Sequence, residues 1–76
     1  LVDNTFKIIG KSHIVLINKE LNLNIPECDY DTIAGYMLYL FGKIPQEGEI
    51  IKKGKLSFGL EQLVARRIKS IILKRL

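Results

Sequence analysis

The chain predicts a small domain that mixes helix and strand, and three observations carry that expectation. A capped apolar segment runs from Asp31 through Phe41 to a stop at Gly42, alternating residues follow a turn at Lys53-Gly54, and apolar residues make up 47% of the sequence. An apolar share that high describes a folded globule rather than a disordered tail. The 76 residues read as a single domain spanning 1–76. A domain of this size buries only about 60% of its unfolded surface, so its stability is modest. The sequence opens on Leu1-Val2 without an initiating Met, which reads as a domain excised from a larger protein.

The first element is a short strand, Phe6-Lys7-Ile8-Ile9, ended by Gly10. Ser12 then stands where it could cap a helix over His13 to Leu21. Ile14, Val15 and Ile17 are β-branched, which makes an awkward helix opening. A hairpin turning at Gly10-Lys11 is the rival reading, and local propensity favours it. Residues 22–28 form a connection in which Pro26 keeps its predecessor extended.

Asp31 is the expected N-cap of the second helix, with Asp29 adding negative charge near its positive end. Ile33, Met37, Leu40 and Phe41 share one helical face, widened by Ala34 and Leu38. Gly42 suits the left-handed position that ends helices. Pro45 presets a turn and Gly48 lets the chain leave it. Glu49 to Lys52 and Lys55 onward read as a hairpin across Lys53-Gly54. Leu56, Phe58 and Leu60 alternate onto one face, and Gly59 suggests a bulge or a close backbone approach. Residues 60–76 are ambiguous. Leu60, Leu63, Val64, Ile68, Ile71, Ile72 and Leu76 fit an amphipathic helix, and no Gly, Pro, Asn or Asp interrupts them.

The ordered set Tyr30-Asp31-Thr32-Ile33-Ala34-Gly35, Gly42-Lys43-Ile44-Pro45, Gly48, Gly54, Phe58 and Arg66-Arg67-Ile68-Lys69 resembles the transporter-associated domain of the CorC/HlyC family. That domain ends magnesium and cobalt efflux proteins and proteins called hemolysins. The resemblance covers Pro26 to Leu73 closely and the residues before it more loosely. It implies an α+β fold, a small and mostly antiparallel β-sheet with two helices, which resembles a subdomain of flavin-binding oxidases. It makes His13 to Leu21 a helix and residues 56–63 and 67–74 paired strands. The chain departs from the family pattern at Val64-Ala65, where an Asp-Gly-like turn is usual and neither residue favours positive φ, and at Gly59, where a carboxylate is common.

The resemblance further implies a non-catalytic, cytosolic accessory domain of an integral membrane protein, set beside a transmembrane domain and paired CBS domains that are its partners. No cofactor is expected. Flavin adenine dinucleotide enters only through fold kinship, and the sequence has no Gly-rich pyrophosphate loop. No apolar run approaches the ~18 residues of a membrane span, and no signal peptide is visible.

The charge of +4 is unevenly spread: residues 1–48 carry a net −2 and residues 49–76 a net +6. Lys52, Lys53, Lys55, Arg66, Arg67, Lys69, Lys74 and Arg75 could meet an acidic partner, an acidic membrane surface or nucleic acid. Aromatics do not interleave with them as in single-strand readers, so nucleic acid ranks last. Tyr36 and Tyr39 lie off the Ile33-Met37-Leu40 face and leave the second helix apolar nearly all round. Burial within the domain accounts for this first, and a homodimer or docking contact second. Tyr36, Tyr39, Arg66, Arg67 and Lys69 are therefore the expected partner contacts.

Glu27, Asp29 and Asp31 form an acidic cluster whose oxygens suit Mg²⁺ or Ca²⁺. Helix capping explains the same residues, and a helix N-terminus disfavours a cation, so no metal site is assigned. His13 is the only histidine and Cys28 the only cysteine. A single cysteine fits a reducing compartment, and no third group completes a nucleophilic set with His13. The chain is not expected to be an enzyme.

Overall fold

The computed structural model describes residues 4–26 and 31–76. Element order is β1 (Thr5–Ile9), α1 (Ile14–Leu21), α2 (Ile33–Phe41), β2 (Ile50–Lys53), β3 (Leu56–Val64) and β4 (Arg67–Arg75). The strands form one antiparallel sheet in the order β1-β4-β3-β2. The first and last strands of the chain are thus neighbours, and β1 and β2 are the edges. Among the described residues no helix is long and apolar enough to cross a membrane.

The sheet buries one face. Phe58 pairs with Leu73, and Leu60 and Ile8 both pair with Ile71. These side chains form one cluster with Ile14, Ile17, Ile25, Ile33, Tyr36 and Met37 from the helical layer. Tyr36 meets Phe58 edge-on at 5.5 Å between ring centroids, a geometry that favours aromatic pairs.

The two helix starts are stitched together. Asp31 accepts at its backbone oxygen from Ile14 N–H, Ser12 from Ile33 N–H, and Gly10 from Ala34 N–H. Gly10 is also where backbones approach most closely. A Cβ there would stand 2.2 Å from the Ile68 carbonyl oxygen.

Several expectations change. The helical pattern over residues 60–76 resolves into β3 and β4, as the family resemblance implies. Their connection is Ala65-Arg66, both at positive φ (52° and 65°). This is the backbone that a two-residue hairpin loop demands, held by pairing on both sides rather than by favourable residues. Gly59 is not a bulge. Its register with Ile50 and Ile72 is regular, and the irregularity falls at Leu60–Leu63. Nor is there a close backbone approach at Gly59: a Cβ would meet the Ile50 side chain at 3.3 Å, whereas the nearest backbone oxygens, of Ile72 and Glu49, stand at ordinary contact distances of 3.8 and 3.9 Å.

The caps also move. His13, not Ser12, is the N-cap of α1, without a side-chain cap bond, and Thr32, not Asp31, caps α2 by accepting from Gly35 N–H at 3.3 Å. Thr32 Oγ1 has the reach to the third amide beyond it that a cap needs, while Asp31 acts through its backbone. Gly42 ends α2 at φ 69° as expected. The first hairpin turns at Gly54-Lys55, one residue later than expected. Pro45 is buried, and the turn comes after it, with Glu49 N–H bonded to the Gln46 carbonyl and Gly48 at φ 93°.

Candidate functional site

Of the expected partner contacts, Tyr36 is corrected. It is 2% exposed and belongs to the core. Its spacing of three from Ile33 already places it beside the buried face, a signal that the Ile33-Met37-Leu40 stripe obscured. Tyr39 is 66% exposed, with its ring 6.3 Å from that of Tyr36. Leu38 is also exposed. The second helix therefore buries one side in the domain and presents Leu38 and Tyr39 on the other.

Arg66 and Arg67 do meet this helix. They line a cleft of about 380 Å³ with Lys11, Thr32, Gly35 and Leu38. The end of the β3–β4 turn and the start of β4 carry Arg66 and Arg67 to the N-terminal half of α2, and the turn after β1 brings Lys11, which no sequence motif singles out. The cleft is cationic with an apolar rim. It is not a phosphate cradle, because the opening amides of α2 are already satisfied: Ile33 by Ser12, Ala34 by Gly10, Gly35 by Thr32 Oγ1 and Tyr36 by the Thr32 carbonyl. A helix start binds anions through open amides of this kind.

Lys69 is exposed on β4 but does not line the cleft. The other basic residues divide between places. Lys52 and Lys74 flank buried Ser57 on the uncovered sheet face. Arg75 turns inward, over the Phe6 ring and onto the Leu21 carbonyl.

The uncovered face also carries an ion-paired cluster. Glu61, within the irregular stretch of β3, accepts from Ser70 Oγ at 2.7 Å and pairs with Lys7 at 3.3 Å. The Ser70 hydroxyl holds the Glu61 carboxyl below its usual range; desolvation opposes this and Lys7 reinforces it. Beside it, Glu47 accepts from Leu63 N–H at 2.8 Å, tying the loop after α2 to the same irregularity.

Glu27 and Asp29, candidate metal ligands, and Cys28 lie outside the described residues. Asp31 is exposed. Among the described residues no group of three or more His, Cys, Asp or Glu side chains could hold a metal ion.

A four-stranded antiparallel sheet with two helices packed on one face defines a small α+β domain. The chain belongs to the CorC_HlyC family, the transporter associated domain, which matches residues 1–76. The family is an accessory domain of transporter proteins and not a catalytic one. The fold is similar to a hemolysin domain from Enterococcus faecalis, with TM-score 0.90 and 26% identity over 99% of this chain and 92% of that one. It is similar to the CorC_HlyC domain of a Xylella fastidiosa hemolysin, solved in complex with Mg²⁺ and Mn²⁺, with TM-score 0.84 and 30% identity over 100% and 92%. A Mg²⁺ and Co²⁺ transporter (CorC) associated region from Neisseria meningitidis shares the fold at TM-score 0.89 and 24% identity over 100% and 94%. No curated protein matches the chain.

Proposed function

We propose that this domain is the accessory, regulatory module of a membrane cation-transport protein of the magnesium and cobalt efflux or hemolysin type. It acts by docking on the cytosolic side, against the CBS and transmembrane domains of its parent. The observation that carries this reading is the cationic cleft at α2, where Arg66, Arg67 and Lys11 meet exposed Leu38 in a family defined by its association with transporters. A cleft of this kind suits an acidic surface with an apolar anchor. Regulation then follows from a difference in docking free energy between transporter states. The nucleic-acid alternative would need one continuous basic face, whereas Lys52 and Lys74, Arg66 and Arg67, and Arg75 occupy different parts of the molecule.

Deletion of residues 1–76 from the parent tests the reading. Cation flux in vesicles is expected to persist with altered dependence on cation concentration. Flux and assembly identical to the intact protein would reject it.

A further inference from the structure

The cleft at α2 gathers three cations and leaves their charge unanswered. Among the described residues none of Lys11, Arg66 and Arg67 makes an ion pair. Asp31, next to the cleft residue Thr32, is exposed and pairs with none of them. The apolar groups at this end of the molecule project outward. Leu38 and Tyr39 are exposed, and so is Val64, which pairs with Arg67 at the end of β3. Tyr39 is four residues on from Gly35, a cleft residue, so it continues the same side of α2. The anchors therefore stand on this side of the contact, and what covers the cleft must be anionic and able to receive them.

Two occupants fail that requirement. A single bound phosphate would call on open amides, and those of α2 are satisfied. A second copy of the chain would set these cations against its own, and it has little acid to offer in return. Glu47 holds Leu63 N–H, Glu49 pairs with Lys43 and Glu61 with Lys7, while Glu20 lies in a separate groove between β1 and α1. An acidic protein surface would need a matching depression for each protruding side chain. The headgroup layer of a bilayer receives them wherever they fall: aliphatic groups enter the acyl boundary, tyrosine sits at headgroup depth, and lysine and arginine face the lipid phosphates. A transporter holds such a layer within reach of the domain that accompanies it.

We propose that the α2 cleft and the β3–β4 turn bind the surface of an anionic phospholipid bilayer, with Lys11, Arg66 and Arg67 on lipid phosphates and Leu38, Val64 and Tyr39 at the headgroup boundary. The proposal rests on the docking reading and names the acidic surface that reading requires, the leaflet around the parent's transmembrane domain.

The relatives named above are chains of nearly this length, so the domain folds on its own and can be tested alone. The probe is vesicles of phosphatidylcholine with about 30% phosphatidylglycerol, in about 0.1 M salt. Co-sedimentation should show a partition coefficient about a hundredfold above that for pure phosphatidylcholine. Arg66→Gln with Arg67→Gln should lower it about thirtyfold. Lys52→Gln with Lys74→Gln removes the same charge from the uncovered sheet face and should change it less than about threefold. Leu38→Asn should weaken binding about tenfold, with circular dichroism showing each variant folded. Spin-labelled headgroups should broaden the amides of Leu38, Tyr39, Ala65 and Arg66 and leave residues 53–55, at the opposite end of β3, sharp. Inorganic phosphate at matched ionic strength should not displace the domain.

Equal binding to neutral and anionic vesicles would overturn the proposal. So would equal losses in the two charge variants, broadening centred elsewhere, or displacement by inorganic phosphate. A domain that ignores vesicles but binds a glutamate-rich peptide through Arg66 and Arg67 would reject the lipid surface and keep the docking reading. Vesicle binding as expected, with flux unchanged by domain deletion, would instead reject the accessory role and leave the lipid contact standing.

Discussion

The two helices divide the work of this domain unequally. Helix α2 has a side-chain cap at Thr32, a left-handed stop at Gly42, and Ile33, Tyr36 and Met37 buried against the sheet. Helix α1 has no side-chain cap and buries Ile14 and Ile17, while Val15 and Leu16 stay exposed. Both arise from apolar sequences, so hydrophobicity alone does not distinguish a helix that builds the core from one that borders a groove. What distinguishes them is the depth at which the sheet receives each one. Both pack on one face of the sheet, α2 against the central strand β4 and α1 nearer the β1 edge.

The largest expected contrast is in core deletion. Met37→Ala should cost about 3 kcal/mol by leaving a cavity, whereas Leu16→Ala should stay within about 0.5 kcal/mol; urea unfolding measures both. Gly10→Ala breaks the junction that both helices share. The new Cβ meets the Ile68 backbone, and overpacking of this kind should cost about 2–3 kcal/mol. The caps sharpen the comparison at a smaller scale. Thr32→Ala should cost about 1 kcal/mol, while His13→Ser, which installs an acceptor where α1 lacks one, should gain about 0.5 kcal/mol.

The smallest effect lies outside the helices, at Glu61. A carboxylate whose pKa is lowered on folding stabilises the fold above its unfolded pKa, and that contribution is lost as pH falls through the folded value. Because Ser70 is the leading cause of the depression, Ser70→Ala should flatten the acid limb of a stability–pH profile and leave its neutral region little changed in slope.

The same contrast explains what the sequence made readable. The stretch from Asp31 to Gly48 signals itself locally, through a capped helix, a glycine stop and a turn, and its helix ends stand within a residue of where local chemistry puts them, while the turn follows Pro45 instead of including it. The C-terminal third does not. Its irregularity between Leu60 and Leu63 resets the strand alternation, so Leu60 and Leu63 both approach the core at a spacing of three. Strand β4 has neighbours on both sides and buries Ser70 as well as Ile71 and Leu73. Together these replace a period of two with spacings that imitate a helix. Ala65-Arg66 adds to the disguise, because a turn built from ordinary residues carries no Gly or Asn marker. The cleft was half readable. Arg66 and Arg67 stand in a recognisable motif, but their approach to Lys11 and Leu38 is made by the sheet order, which no local pattern encodes. The groove beside α1 was invisible for a related reason, since an edge strand is defined by what fails to pair with it.

The claim beneath these comparisons is that the domain works by contact rather than by chemistry. Its most direct test is cation flux through the parent protein carrying Arg66→Glu and Arg67→Glu together, at two exposed positions where β3 turns into β4. Docking through the cleft predicts that the double variant keeps its ion pathway and shows the altered regulation of the domain deletion. Regulation indistinguishable from the unmodified parent, with the domain folded, would contradict it.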